Sequence, residues 1–79
     1  MREQGTIKRF MRERGFGFLV SDWEPDGEIF FHVKNISRDS FATEADLPGA
    51  RIEFETTIDH HGKRRAANAV VLPKPQGNK

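Results

Sequence analysis

Arg14-Gly15-Phe16-Gly17-Phe18-Leu19-Val20-Ser21 is the stretch from which the rest of the chain can be placed. Its β-formers alternate, which predicts a strand over 15–21. Successive strand side chains point to opposite faces. Phe16, Phe18 and Val20 therefore share one face, and Gly17, Leu19 and Ser21 the other. On either side, 6–11 (Thr-Ile-Lys-Arg-Phe-Met) and 28–33 (Glu-Ile-Phe-Phe-His-Val) predict further strands. Asp22–Gly27 between them carries Pro followed by Asp-Gly, which is turn chemistry. In the third strand Ile29, Phe31 and Val33 form an apolar face; Phe30, His32 and Lys34 look the other way. Residues 51–58 alternate with Ile52 and Phe54 inward and Ile58 continuing their face. His60-His61-Gly62-Lys63 is a hairpin tip, and 65–72 a fifth strand.

Residues 34–48 are polar, with one helical turn expected near their start. Ile36, Phe41 and Leu47 make no 3.6-residue stripe, so no long helix is predicted. Pro48-Gly49 closes this segment as a turn. Five short strands separated by turns predict an all-β fold, a small five-stranded antiparallel barrel without open sheet edges. Phe10, Leu19, Ile29, Phe31, Ile52, Phe54 and Val70 are expected to fill it.

At 79 residues there is room for one domain. It is placed at 4–72, with 73–79 a flexible tail. The absence of cysteine excludes disulfides and thiolate zinc sites. His60 and His61, adjacent at a hairpin tip, are expected to point different ways into solvent, so no metal site is predicted. No carboxylate pair, Ser/His/Asp set or phosphate-cradling glycine loop stands out; neither enzymatic activity nor a cofactor is expected. Thirteen Lys+Arg against twelve Asp+Glu give +1, so any nucleic-acid role must come from uneven placement of charge. No apolar run approaches the roughly 20 residues of a membrane span. Met1–Gly5 shows no signal-peptide apolar region. These features predict a soluble cytoplasmic chain with no membrane partner.

The aromatic content is uneven. Seven of eight aromatics are Phe, and five of those lie in the first 31 residues. Alternating phenylalanines alone mark a buried face. Two observations favour exposure of Phe16 and Phe18. Gly17 and Leu19 can supply the inner face, and Lys8, Arg9, Arg12, Arg14 and Lys34 flank the row with cations. A solvent-facing Phe row is unfavourable for solubility unless it binds something. Bases of single-stranded nucleic acid fit it: each has a π-face to stack, and the intervening phosphates need cations.

On these residues the chain resembles the cold-shock domain family of nucleic-acid-binding OB-fold barrels. Gly5-Thr6-Ile7-Lys8-Arg9-Phe10, Arg14–Leu19 and Ile29–Val33 are similar in order and spacing to its first strand and its two ribonucleoprotein-type motifs. Pro48-Gly49 with Ile52-Glu53-Phe54 looks like its fourth strand, and Ala66–Val70 like its last. The resemblance implies binding of single-stranded RNA or DNA by an RNA chaperone or transcript regulator. It implies stacking on Phe16, Phe18, Phe30 and Phe41, base or phosphate contact by His32, and backbone contacts by Lys8 and Arg14.

Two positions depart from that pattern. Arg9 stands where the family usually has Trp, and Val33 where an aromatic usually follows the histidine. Arg9 can compensate in part, because a guanidinium stacks on a base and pairs with phosphate. Trp23, in the turn, is assigned a structural or neutral role. An RNA-recognition-motif domain shares the Arg-Gly-Phe-Gly-Phe run but needs two amphipathic helices, which the sequence lacks. The competing reading is a protein-interaction barrel whose nucleic-acid face has weakened.

Overall fold

The computed structural model describes residues 2–73. Five strands, β1 (Glu3–Met11), β2 (Phe16–Ser21), β3 (Glu24–His32), β4 (Arg51–Ile58) and β5 (Arg64–Val71), close into a barrel in the order β1-β2-β3-β5-β4. Four of the pairings are antiparallel. The fifth, β3 with β5, is a parallel bridge between Phe30 and Arg65. Parity requires this: an odd number of strands cannot alternate direction all the way round a closed ring. The expected flexible tail lies, beyond Pro73, outside the described residues.

Leu19, Ile29, Phe31, Ile52 and Phe54 are buried, as expected. Ile7, Ala66 and Ala69 join them, with Ile36 and Leu47 from the connection between β3 and β4. That connection contains three single 3-10 turns, Val33–Asn35, Arg38–Ser40 and Glu44–Asp46, where one was expected. Phe10 is only half-buried and stacks on Phe31 at 6.0 Å. Val33 has left the strand for the first 3-10 turn and packs half-buried against the core edge.

Val70 is not a core residue: it is 38% exposed. Asn68 adopts φ 49°, and the β4–β5 register slips between Glu53 and Glu55. The resulting bulge puts Ala66 and Ala69 inward, three residues apart instead of two, and turns Val70 out. Asn tolerates this left-handed conformation better than most residues, and its Nδ2 donates to Glu55 Oε1 at 3.0 Å. Ile58, at the end of β4, is 63% exposed and not inward.

The expected six-residue turn is smaller than predicted. Asp22 and Trp23 alone turn the chain. Ser21 pairs with Glu24 and Val20 with Glu28, leaving Pro25-Asp26-Gly27 as a bulge. Proline has no N–H to donate, so it falls where the ladder is interrupted. Beside it Glu3, buried, accepts from Ser21 Oγ at 2.8 Å and from Arg64 at 2.7 Å. Arg64 also reaches Glu24, so this polar cluster ties β1, β2, β3 and β5 together.

The β4–β5 hairpin is held by Asp59. Its Oδ1 accepts from the backbone N–H of His61 at 2.8 Å and of Lys63 at 3.0 Å. These bonds, led by that from Lys63, hold its pKa below the ordinary carboxylate range. Asp22, bonded to the Arg51 guanidinium, and Glu55, bonded to Asn68, shift the same way. A carboxylate whose folded pKa is depressed contributes stability that is full above its unfolded pKa, about 3.9 for Asp. That contribution is lost as pH falls through the folded value. The denaturation midpoint is expected to fall between pH 5 and pH 3, and to fall less in Asp59→Asn, as chemical melts at both pH values would read.

Candidate nucleic-acid interface

The register of β2 against β3 places Phe16 opposite His32 and Phe18 opposite Phe30. Directly paired residues share a face, so the four side chains form one patch. Phe16 and Phe30 lie 5.2 Å apart, Phe18 and Phe30 6.0 Å, and Phe16 and Phe18 6.2 Å. All three rings are half-buried, while Gly17, Leu19, Ile29 and Phe31 between them are buried. The two phenylalanine sets thus point to opposite sides of one sheet.

His32 caps the first 3-10 turn. Its Nδ1 accepts the Lys34 backbone N–H at 3.1 Å. A neutral imidazole bonded this way carries its proton on Nε2, so His32 presents a donor from the remaining nitrogen. Gly15, at φ +76°, lies beneath the ring: a Cβ there would sit 3.3 Å from His32 Cε1.

Arg9 reaches the patch through a bulge. The β1–β2 register shifts between Ile7 and Arg9, leaving Lys8 unpaired and setting Arg9 opposite Phe18. Its guanidinium lies 4.7 Å above the Phe18 ring and bonds Glu28 at 3.1 Å. Arg65 lies likewise over Phe30, at 4.3 Å. Arg2, Arg51 and Arg64 are taken up in ion pairs. Among the described residues Lys8, Arg14, Lys34 and Arg65 form none. Lys8 and Arg14 are exposed on and just beyond β1.

Phe41 is not brought to this patch. It packs against the core edge under Arg38, whose guanidinium lies 4.8 Å over it, and lines a separate groove with Val71 and Leu72. Trp23 is 59% exposed at the β2–β3 turn.

The 'Cold-shock' DNA-binding domain family matches residues 3–73. The chain belongs to the cold-shock domain family. It is 42% identical over 69 residues to a cold shock protein of Arthrobacter globiformis, covering 87% of this chain and 96% of that one. It is 38% identical to the cold shock-like protein CspG of Shewanella violacea, covering 86% and 91%. It is 37% identical to the cold shock protein CspA of Staphylococcus aureus, covering 89% and 98%. Among solved structures, "drosophila Unr CSD456" superposes with a TM-score of 0.72 at 28% identity. That match covers 99% of this chain, which spans 29% of the larger one.

Within this cold-shock barrel the sequence reading missed Arg65. Its signal was available only as one of two adjacent arginines at the start of the last strand. The parallel bridge to Phe30 is what brings it to the patch. His60 and His61 also differ from expectation: their rings lie together, centroids 4.0 Å apart, rather than pointing apart. Among the described residues no group of three or more His, Asp or Glu side chains converges as a metal site would. No helix among them is long and apolar enough to cross a membrane.

Proposed function

We propose that this cold-shock protein binds single-stranded RNA or DNA stoichiometrically, as an RNA chaperone or transcript regulator. Bases stack on Phe16, Phe18 and Phe30, and His32 donates to a base or phosphate. Lys8, Arg9 and Arg14 contact the backbone. Phe41 adds a stacking contact outside this platform. The observation that carries the reading is the packing of three half-buried Phe rings into one patch rimmed by cations. Stacking on that patch competes with base–base stacking and so favours melted strands.

The test is a fluorescence titration with a labelled single strand and with the duplex of the same sequence. A duplex hides its base faces, so the single strand is expected to bind much more tightly, over about six nucleotides. Phe18→Ala is expected to weaken binding by about 1–3 kcal/mol with little loss of stability. Equal affinity for duplex and single strand would leave only electrostatics. Failure to bind either would favour the protein-interaction barrel.

Arg9 contributes through both its plane and its charge. For single strands each neutralised phosphate adds about −0.7 to the slope of log K against log salt. Arg9→Trp is expected to bind more tightly at high salt, where stacking persists, with a slope shallower by about 0.7. Arg9→Ala loses both contributions and should bind worst. Titrations at three salt concentrations check this; identical curves for all three proteins would place Arg9 outside the interface.

A further inference from the structure

Trp23 is the chain's one tryptophan, and its indole is exposed at the β2–β3 turn. That turn is held through its backbone. The Trp23 N–H donates to Ser21 Oγ at 3.1 Å, and Ser21 is bonded to buried Glu3. A single exposed apolar side chain is ordinary, but this one is not alone. It lines an open groove of about 540 Å³ with Glu24–Ile29 of β3 and Arg64 of β5. Ile58, also exposed, stands opposite Arg64 on β4. Among the described residues β5 meets β3 only at the bridge between Phe30 and Arg65. The β3 edge before Phe30 therefore has no neighbouring strand on this side.

The groove is acidic. Glu24, Asp26 and Glu28 line it with Arg64, which is shared between Glu24 and Glu3. Glu28 is bonded to Arg9. Four carboxylates, Glu3, Glu24, Asp26 and Glu28, are thus met by two cations, Arg9 and Arg64. Asp26 forms no ion pair among the described residues. This surplus of negative charge stands in a chain whose net charge is +1. It repels the phosphates of a nucleic acid. It also repels a second copy of this edge, which would bring the same carboxylates, and the bulge at Pro25-Asp26-Gly27 blunts like-with-like pairing further. A cationic segment is opposed by neither charge effect.

We propose that this groove docks an extended lysine- or arginine-rich segment of another protein. Cations of that segment pair with Asp26 and its neighbouring carboxylates. One of them lies over the Trp23 indole, the aromatic face that attracts cations most strongly. Apolar side chains between the cations cover Trp23 and Ile58. Complementary charge steers such an encounter and selects the partner more than it adds affinity, so binding is sensitive to salt. Phe16, Phe18, Phe30 and His32 do not line this groove. The site is therefore independent of the single-strand reading, and the barrel can hold a strand and a basic partner at different places.

The test uses the full chain and a labelled peptide of about eight residues alternating lysine with valine, long enough to follow the β3 edge. Its ends are uncharged, and a second peptide carries glutamate in place of lysine. Binding is read by peptide anisotropy and, since the chain has one tryptophan, by the emission of Trp23. The basic peptide is expected to bind and to shift that emission, and high salt to release it. The acidic peptide should do neither. Trp23→Ala should bind the basic peptide about fivefold more weakly, and Asp26→Asn about threefold more weakly. Circular dichroism checks that both are folded, and both should bind a labelled single strand as wild type does. No binding by the basic peptide, equal binding of the two peptides, or wild-type affinity in either variant overturns the docking site. Loss of single-strand binding in Trp23→Ala also overturns it, by assigning the groove to the nucleic acid. If wild type binds the basic peptide but no single strand, the docking site stands and the single-strand reading falls.

Discussion

Phe31→Ala is expected to remove about 3–5 kcal/mol of stability. Phe31 is fully buried, among the largest side chains of the core, and stacks against Phe10. A single core in a domain this small rarely supplies more than about 3–5 kcal/mol of net stability. The variant should therefore be largely unfolded at 25 °C, as loss of the cooperative transition in a urea melt would show. Phe18→Ala, one strand away on the opposite face, should melt almost as wild type. Its ring is half-buried among Phe16, Phe30 and Arg9 rather than in the core. If the two variants changed places, with Phe18→Ala unfolded and Phe31→Ala intact, the faces of the sheet would be reversed.

Gly17→Ala is expected to be nearly as disruptive, although it adds only one methyl group. A Cβ at Gly17 would sit 2.8 Å from Phe31 Cζ, 3.0 Å from Phe10 Cα and inside contact distance of the Arg9 carbonyl oxygen. Two of those atoms belong to the backbone of β1, so the strain cannot be relieved by a side-chain rotation. Either β1 separates from β2 or the Phe31 ring is displaced from the core. Overpacking of this kind costs about 1–3 kcal/mol and occasionally more, and the backbone clash places Gly17→Ala at the upper end. Binding should fall with stability, because β1 carries Arg9 to Phe18 through the same pairing. A urea melt with an unchanged midpoint would show that β1 and β2 have slack the structure does not display. Gly27→Ala is the control: a Cβ there meets nothing within 4 Å.

The placement of Phe16, Phe18, Phe30 and His32 on one face, and of Leu19, Ile29 and Phe31 on the other, was legible in the sequence. Strand alternation has a period of two and needs no partner strand to assert itself. The five strands, and the reading of 34–48 as irregular chain without a long helix, follow from the same local chemistry. Alternation failed wherever a bulge broke the period. Ile7 and Phe10, three residues apart, both meet the core because Lys8 is bulged. Ala69, and not Val70, points inward because Asn68 takes a positive φ. Bulges are set by how two strands fit together, so one strand's sequence signals them weakly. The remaining features belong to tertiary structure alone. Glu3 and Arg64 meet across 61 positions of chain, and Phe30 and Arg65 across 35. Phe41 is held at the core edge, away from the phenylalanines it resembles in sequence. The sequence determined which side chains could form an aromatic face. The β1–β2 pairing set Arg9 on Phe18, and only barrel closure, with the parallel bridge that five strands require, added Arg65 over Phe30.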